Sequence, residues 1–150
     1  MKLTLYTDYS LRVLIYLASL EEGKLSNIRE ISEAYQISKN HLMKVIYELG
    51  KMGIIETIRG RNGGIRLARP PEEINIGAVV RKTEEGFHLV ECFNPEGNNC
   101  IISPVCGLKH ILNKALFAYF EVLDQYALAD LVKDPAMYRA FFEANKRSED

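Results

Sequence analysis

From Leu11 to Leu49 the apolar residues fall into three short runs of helical period, each preceded by a residue suited to capping. Leu11, Leu14, Ile15, Leu17 and Ala18 form the first stripe, with Thr7 as the expected cap and Glu22-Gly23 as the stop. Asn27 with Glu30 three residues on predicts a capping box for a short second helix through Tyr35. Ile28, Ile31 and Ala34 make its inner face. Ser38 is placed to cap a third helix whose inward stripe is Leu42, Val45, Ile46 and Leu49, closed by Gly50 and Gly53. The period then changes. Residues 54–59 read as a strand, 60–64 as a tight turn and 65–69 as the returning strand. Pro70-Pro71 marks a boundary.

Beyond it, Asn75 is expected to cap a short helix carrying Ile76, Val79 and Val80. A turn-rich acidic loop follows, roughly residues 84–105. Residues 107–126 repeat apolar positions in steps of three and four, which predicts one amphipathic helix about 30 Å long. Its stripe of Leu112, Leu116, Tyr119 and Leu123 is too long for the short neighbouring elements to cover. Pairing with the same helix of a second subunit is the expected outcome. Asp134-Pro135 begins a final short helix, and residues 146–150 are expected to fray. The chain thus divides into a winged helix-turn-helix (residues 1–70), a loop and dimerisation helix (71–133) and a C-terminal short helix and tail (134–150). The fold class is mainly α with a small β-hairpin wing.

Charge sharpens this picture. The chain's net charge is −1, yet residues 38–69 hold seven basic and two acidic side chains, which makes that segment +5. Its basic residues sit on the third helix and the hairpin, the two elements a winged helix applies to DNA. Ser38, Lys39, Asn40, His41, Lys44 and Tyr47 supply donors and acceptors suited to phosphates and base edges. Arg59, Arg61 and Arg66 flank glycines that let the turn approach a duplex, where arginine enters a narrow minor groove. Seven cations license at most about seven phosphate contacts per subunit. No apolar stretch is long enough to span a bilayer and no export signal is visible, so a cytoplasmic protein is expected. No nucleophile–base pair, phosphate loop or nucleotide fingerprint points to an enzyme.

The three cysteines, Cys92, Cys100 and Cys106, all lie within fifteen residues, spaced C-x7-C-x5-C. In a reducing compartment such a cluster favours a metal or redox role over disulfides. The wide gaps fit structural zinc poorly. Asn94, Pro95, Gly97, Pro104 and Gly107 permit an irregular wrap, and Cys106 meets the start of the long helix, where negative charge is favoured. A fourth ligand is missing from the cysteine count; His88, His110 and carboxylates are the alternatives.

Four motifs together resemble one bacterial regulator family: T-D-Y-S-L-R at 7–12, I-S-K-N-H-L-M-K-V at 37–45, R-G-R-N-G-G-I-R-L at 59–67, and the cysteine triad leading into G-L-K-H. This is the winged-helix family that includes NsrR-like nitric-oxide-sensing repressors, IscR and CymR. The likeness spans nearly the whole chain, to about residue 133, and is strongest to the NsrR-like branch. It implies a homodimeric repressor on a palindromic DNA operator, with one 4Fe-4S cluster per subunit held by Cys92, Cys100 and Cys106. In that branch the fourth ligand is a carboxylate from the partner's first helix, a place that Asp8 occupies here. IscR-type proteins use a histidine three residues after the last cysteine; this chain has Lys109 there, with His110 one residue further on. Arg12 would pair with Asp8 or steady its helix. Nitrosylation would release the operator. Other readings are a family regulator responding to cluster status or oxidative stress through iron–sulfur or redox thiols, and a cluster-free winged-helix protein.

Overall fold

The structure, a computed structural model, describes residues 1–146. It holds seven helices and one hairpin: α1 (Leu5–Ser19), α2 (Ile28–Tyr35), α3 (Lys39–Lys51), β1 (Ile55–Ile58), β2 (Gly64–Leu67), α4 (Ile76–Thr83), α5 (Gly107–Asp124), α6 (Leu128–Leu131) and α7 (Pro135–Lys146). This is the expected winged helix followed by a long helix.

Helix α1 starts a turn earlier than the periodicity predicts. Thr4, not Thr7, is its cap: Thr4 Oγ1 accepts from the Thr7 N–H at 3.2 Å, and Thr7 is buried inside the helix. The reason is remote in sequence. The Glu84 carboxylate accepts from the Thr4 N–H at 2.7 Å and from its hydroxyl at 3.0 Å, pinning the entry to the helix. At α2 the Asn27 side chain accepts from the Glu30 N–H at 2.9 Å, but the return arm of the capping box is absent. Glu30 instead accepts the Ser26 hydroxyl at 2.6 Å. Ser38 caps α3, accepting from the His41 N–H at 3.3 Å, and Leu42, Val45, Ile46 and Leu49 are all buried as predicted.

Strands β1 and β2 pair antiparallel with Ile55 opposite Leu67 and Ile58 opposite Gly64, shorter at the base than expected. Two backbone bonds between Ser26 and Ile65, of 3.0 and 2.7 Å, tie the wing to the loop before α2. Gly60 takes a left-handed φ of 109°, and a Cβ on Gly63 would collide with the Ile58 carbonyl oxygen. The turn therefore requires glycine at both places.

Val13 and Leu14 of α1 are fully buried at the centre of one continuous core, with Leu42 and Leu49 from α3, Val79 and Val80 from α4, and Leu128 from α6. The final helix is longer than expected. It packs on α1 and α2, Arg139 donates to the Ser19 carbonyl at 2.7 Å, and Phe142 meets the rings of Tyr16 and Tyr35. Lys146 lies in that helix, and the rest of the expected frayed tail, residues 147–150, lies outside the described residues.

Helix α5 corrects the expected partner stripe. Leu116, Tyr119 and Leu123 turn inward against the core and Leu112 is half-buried, while Phe120 is the buried anchor. Phe87 meets Phe120 edge-on at 4.5 Å, and the Arg81 guanidinium stacks on the same ring at 4.2 Å while gripping Asp124 with two bonds. What remains uncovered is the adjacent stripe: Leu108, Ile111, Ala115, Ala118 and Val122 are all exposed.

Candidate nucleic-acid interface and cysteine loop

The residues singled out for DNA contact are all exposed. Ser38 at the cap of α3 and Lys39, Asn40, His41, Lys44 and Tyr47 on the helix are exposed, as are Arg59, Arg61 and Arg66 on the hairpin. Two residues of this surface are not apparent from α1's periodicity. The Tyr9 ring lies 5.9 Å from that of His41, and Lys44 Nζ lies 6.0 Å from the Tyr6 ring. Burial, and then the Glu48 carboxylate, push the Tyr6 phenol up, so it stays a neutral donor beside Lys44. The sequence hints at these tyrosines only through their spacing of three, with Tyr9 inside the T-D-Y-S motif and Tyr6 just before it.

Not all seven cations are equally available. Arg66 pairs across the strands with Glu56 at 2.6 Å, and Lys51 with Glu48 at 3.6 Å. Lys39, Lys44, Arg59, Arg61 and Arg69 form no ion pair among the described residues. Five unpaired cations predict a salt slope of about −4.5 per subunit rather than about −6. Gel-shift titrations across a range of salt concentrations measure that slope directly. A Glu56→Gln variant, which frees Arg66, should steepen it by about one unit.

The cysteine loop runs from α4 to α5 through two single 3-10 turns at Glu91–Phe93 and Ser103–Val105. Side chains brace its backbone: Asn94 accepts from Glu96 N–H at 3.0 Å, Asn98 from Cys100 N–H at 3.0 Å, and Glu91 from Asn99 N–H at 2.8 Å. His88 Nδ1 donates to the Phe93 carbonyl at 3.0 Å, a bond that braces the loop through one ring nitrogen. His110 is exposed on α5, and Lys109 reaches the Ser103 hydroxyl at 3.4 Å. Cys92, Cys100 and Cys106 are free thiols, each half-buried. Cys92 lines an open cleft of about 500 Å³ with His88, Asn98 and Lys109. Cys106 is the N-cap of α5 in extended backbone, yet its side chain makes no capping bond. Among the described residues, no three His, Cys, Asp or Glu side chains converge as a metal-holding group. The donor chemistry suits a soft metal cluster: three free thiols on one braced loop, the last at the start of an 18-residue helix.

Asp8 stands in the first turn of α1, apart from that loop. Both its oxygens face Arg12, with Nη2–Oδ2 at 2.8 Å and Nε–Oδ1 at 3.1 Å. The guanidinium lies 5.9 Å from the ring centres of both Tyr9 and Tyr35. Burial pushes the Tyr35 phenol well up from its ordinary value. No hydrogen bond or ion pair among the described residues joins Asp8 to the cysteine loop. Within one chain the residues singled out for DNA contact are exposed on α3, its cap and the wing, while Asp8 and the cysteine loop make no contact through hydrogen bonds or ion pairs among the described residues.

A cationic recognition helix beside an arginine-bearing wing defines a transcription regulator of the winged helix-turn-helix class. The match to known proteins is specific. The chain belongs to the Rrf2 family, described as an iron-dependent transcriptional regulator, whose model matches residues 3–134. It is 69% identical over 132 residues to the HTH-type transcriptional regulator NsrR of Bacillus licheniformis, covering 88% of this chain and 92% of that one. To NsrR of Bacillus subtilis it is 69% identical over 134 residues, covering 89% and 92%. Its fold is similar to T. potens IscR, with a TM-score of 0.72 at 26% identity, covering 89% of this chain and 88% of that chain. It is also similar to CymR, the global cysteine regulator of B. subtilis, with a TM-score of 0.71 at 25% identity and coverages of 89% and 97%.

Proposed function

We propose that this regulator is a homodimeric repressor that binds a palindromic operator and senses nitric oxide through a 4Fe-4S cluster, one per subunit. The observation that carries the reading is the set of three free thiols on one loop, ending at the cap of α5. Those thiols stand in a chain 69% identical to regulators named NsrR. Cys92, Cys100 and Cys106 would hold the cluster, with Asp8 of the partner subunit as the fourth donor. When bound, the cluster supplies iron to which nitric oxide binds.

The chain's own residues do the rest. Residues 1–70 present α3 and the wing to DNA; residues 71–133 carry the loop and the dimer helix. Val105, 84% exposed, leads through Cys106 and Gly107 into Leu108 and the open stripe of α5. Loop and stripe thus form one stretch of partner-facing surface. Asp8 shares α1 with Tyr6 and Tyr9, which touch Lys44 and His41 of the recognition helix. Whatever engages Asp8 therefore acts on the element that braces α3. A differential affinity on the order of 1–3 kcal/mol between the two states suffices to switch operator occupancy.

The test compares anaerobically purified protein, chelator-treated protein and nitric-oxide-treated protein in gel shifts on one operator duplex. The first should be coloured and bind about 5- to 150-fold more tightly than the other two. Equal affinity in all three states would refute sensing while leaving DNA binding intact.

A further inference from the structure

The outward face of α3 carries an exposed apolar side chain that lies outside the buried core. Leu42, Val45, Ile46 and Leu49 occupy the inner side of the helix. At 3.6 residues per turn the opposite side is made by Asn40, Met43, Lys44 and Tyr47. Met43 is 56% exposed and has no place in the hydrophobic core. A solitary exposed apolar residue usually needs no explanation. This one is ringed by the exposed Lys39, Asn40 and Tyr47, one turn before and after it, on the surface that faces the duplex.

We propose that Met43 reads the 5-methyl group of a thymine in the major groove, beside an adenine held by Asn40. The inference rests on the DNA-binding reading above and adds what the helix recognises. A thioether offers no strong donor, and the thymine methyl is the one apolar group on the major-groove edges of the bases. Three rotatable bonds let methionine settle against it from a helix whose exact depth is set by other contacts. Asparagine matches the N6 donor and N7 acceptor of adenine. From Asn40 to Met43 the helix rises about 4.5 Å, close enough to the base-pair spacing of about 3.4 Å for neighbouring pairs to be read.

The competing preference, for guanine, lacks its usual instrument. Residues 39–51 contain no arginine. Of the lysines, Lys51 is drawn to Glu48 at 3.6 Å and Lys44 leans toward the Tyr6 ring at 6.0 Å. Lys39 sits at the first position of the helix, a place suited to backbone phosphate rather than to a base edge.

The experiment uses the anaerobically purified full-length protein and a duplex it selects from a randomised pool. Each thymine of that duplex is replaced in turn by deoxyuridine, which removes the methyl group alone. One thymine per half-site should show a loss of about fourfold for the wild-type protein, the effect of burying a single methyl group. Met43→Ala, a change at an exposed position outside the core, should bind the parent duplex about as weakly as wild type binds the uracil duplex, and should be blind to the uracil. A flat uracil scan overturns the proposal, as does an equal uracil penalty in Met43→Ala. A pool that yields bound DNA without any sequence preference also overturns it, while DNA binding stands. A pool that yields no bound DNA at all refutes the DNA-binding reading itself.

Discussion

A chain carrying both Ile111→Asp and Val122→Asp is expected to run as a monomer in light scattering and to lose most of its operator affinity. The two positions are 62% and 54% exposed on α5. With Leu108, Ala115 and Ala118 they form an apolar stripe that the chain's own core leaves open. Covering that stripe with its two-fold copy would bury each new carboxylate without a partner, at about 3 kcal/mol or more apiece. Symmetry doubles every substitution, so a dimer of ordinary stability would weaken by many orders of magnitude. DNA binding should follow it down. Two half-sites held by one dimer share an effective concentration that raises avidity by about 10²–10⁴-fold, and a monomer forfeits it. Phe117→Asp is the control. Phe117 is also exposed, at 67%, but it stands about 140° around the helix from the centre of the stripe. It should leave the dimer intact. If Phe117→Asp dissociates the dimer and the double variant does not, the interface lies on the other face of α5.

Which half of α5 faces outward was not legible in the sequence. The apolar arc of that helix is wide, and the three-and-four stepping does not say which part the chain covers for itself. The decision is made by residues far away: Phe87 from the loop and Arg81 from α4 both stack on Phe120, so the Phe120 side turns inward. The cap of α1 failed for the same reason, since Glu84 anchors Thr4 across eighty residues. By contrast α3 and its wing were legible almost to the residue. Their signals are local: Ser38 caps, four apolar residues set the inward stripe, and two glycines make a turn that no other residue fits. The crowding of the cysteines was equally plain in the sequence. The structure adds that one chain supplies three free thiols on a loop while Asp8 sits on a different element.

Cys106→Ser is expected to separate folding from sensing. In the proposed site this residue is a cluster donor, and replacing a thiolate by a neutral hydroxyl removes one of the three cysteine ligands. The variant should purify anaerobically without the visible absorption of an iron–sulfur protein. Its DNA affinity should match that of chelator-treated wild type and no longer respond to nitric oxide. Loss of colour alone would also follow from misfolding, so the stability of the cluster-free protein is the deciding measurement. Cys106 is the N-cap of α5, its backbone already extended at φ −76° and ψ 111°, and its thiol makes no capping bond. Serine at that position can accept from the N–H of the second or third helical residue, a gain of about 1 kcal/mol. The midpoint of thermal unfolding of the cluster-free protein should therefore rise by a few degrees relative to cluster-free wild type. Cys92→Ser, inside the 3-10 turn Glu91–Phe93 and not at a helix cap, should lose the colour without the gain. A Cys106→Ser protein that keeps its absorption spectrum would remove Cys106 from the ligand set. One that loses both colour and stability would make the cysteine a structural residue instead.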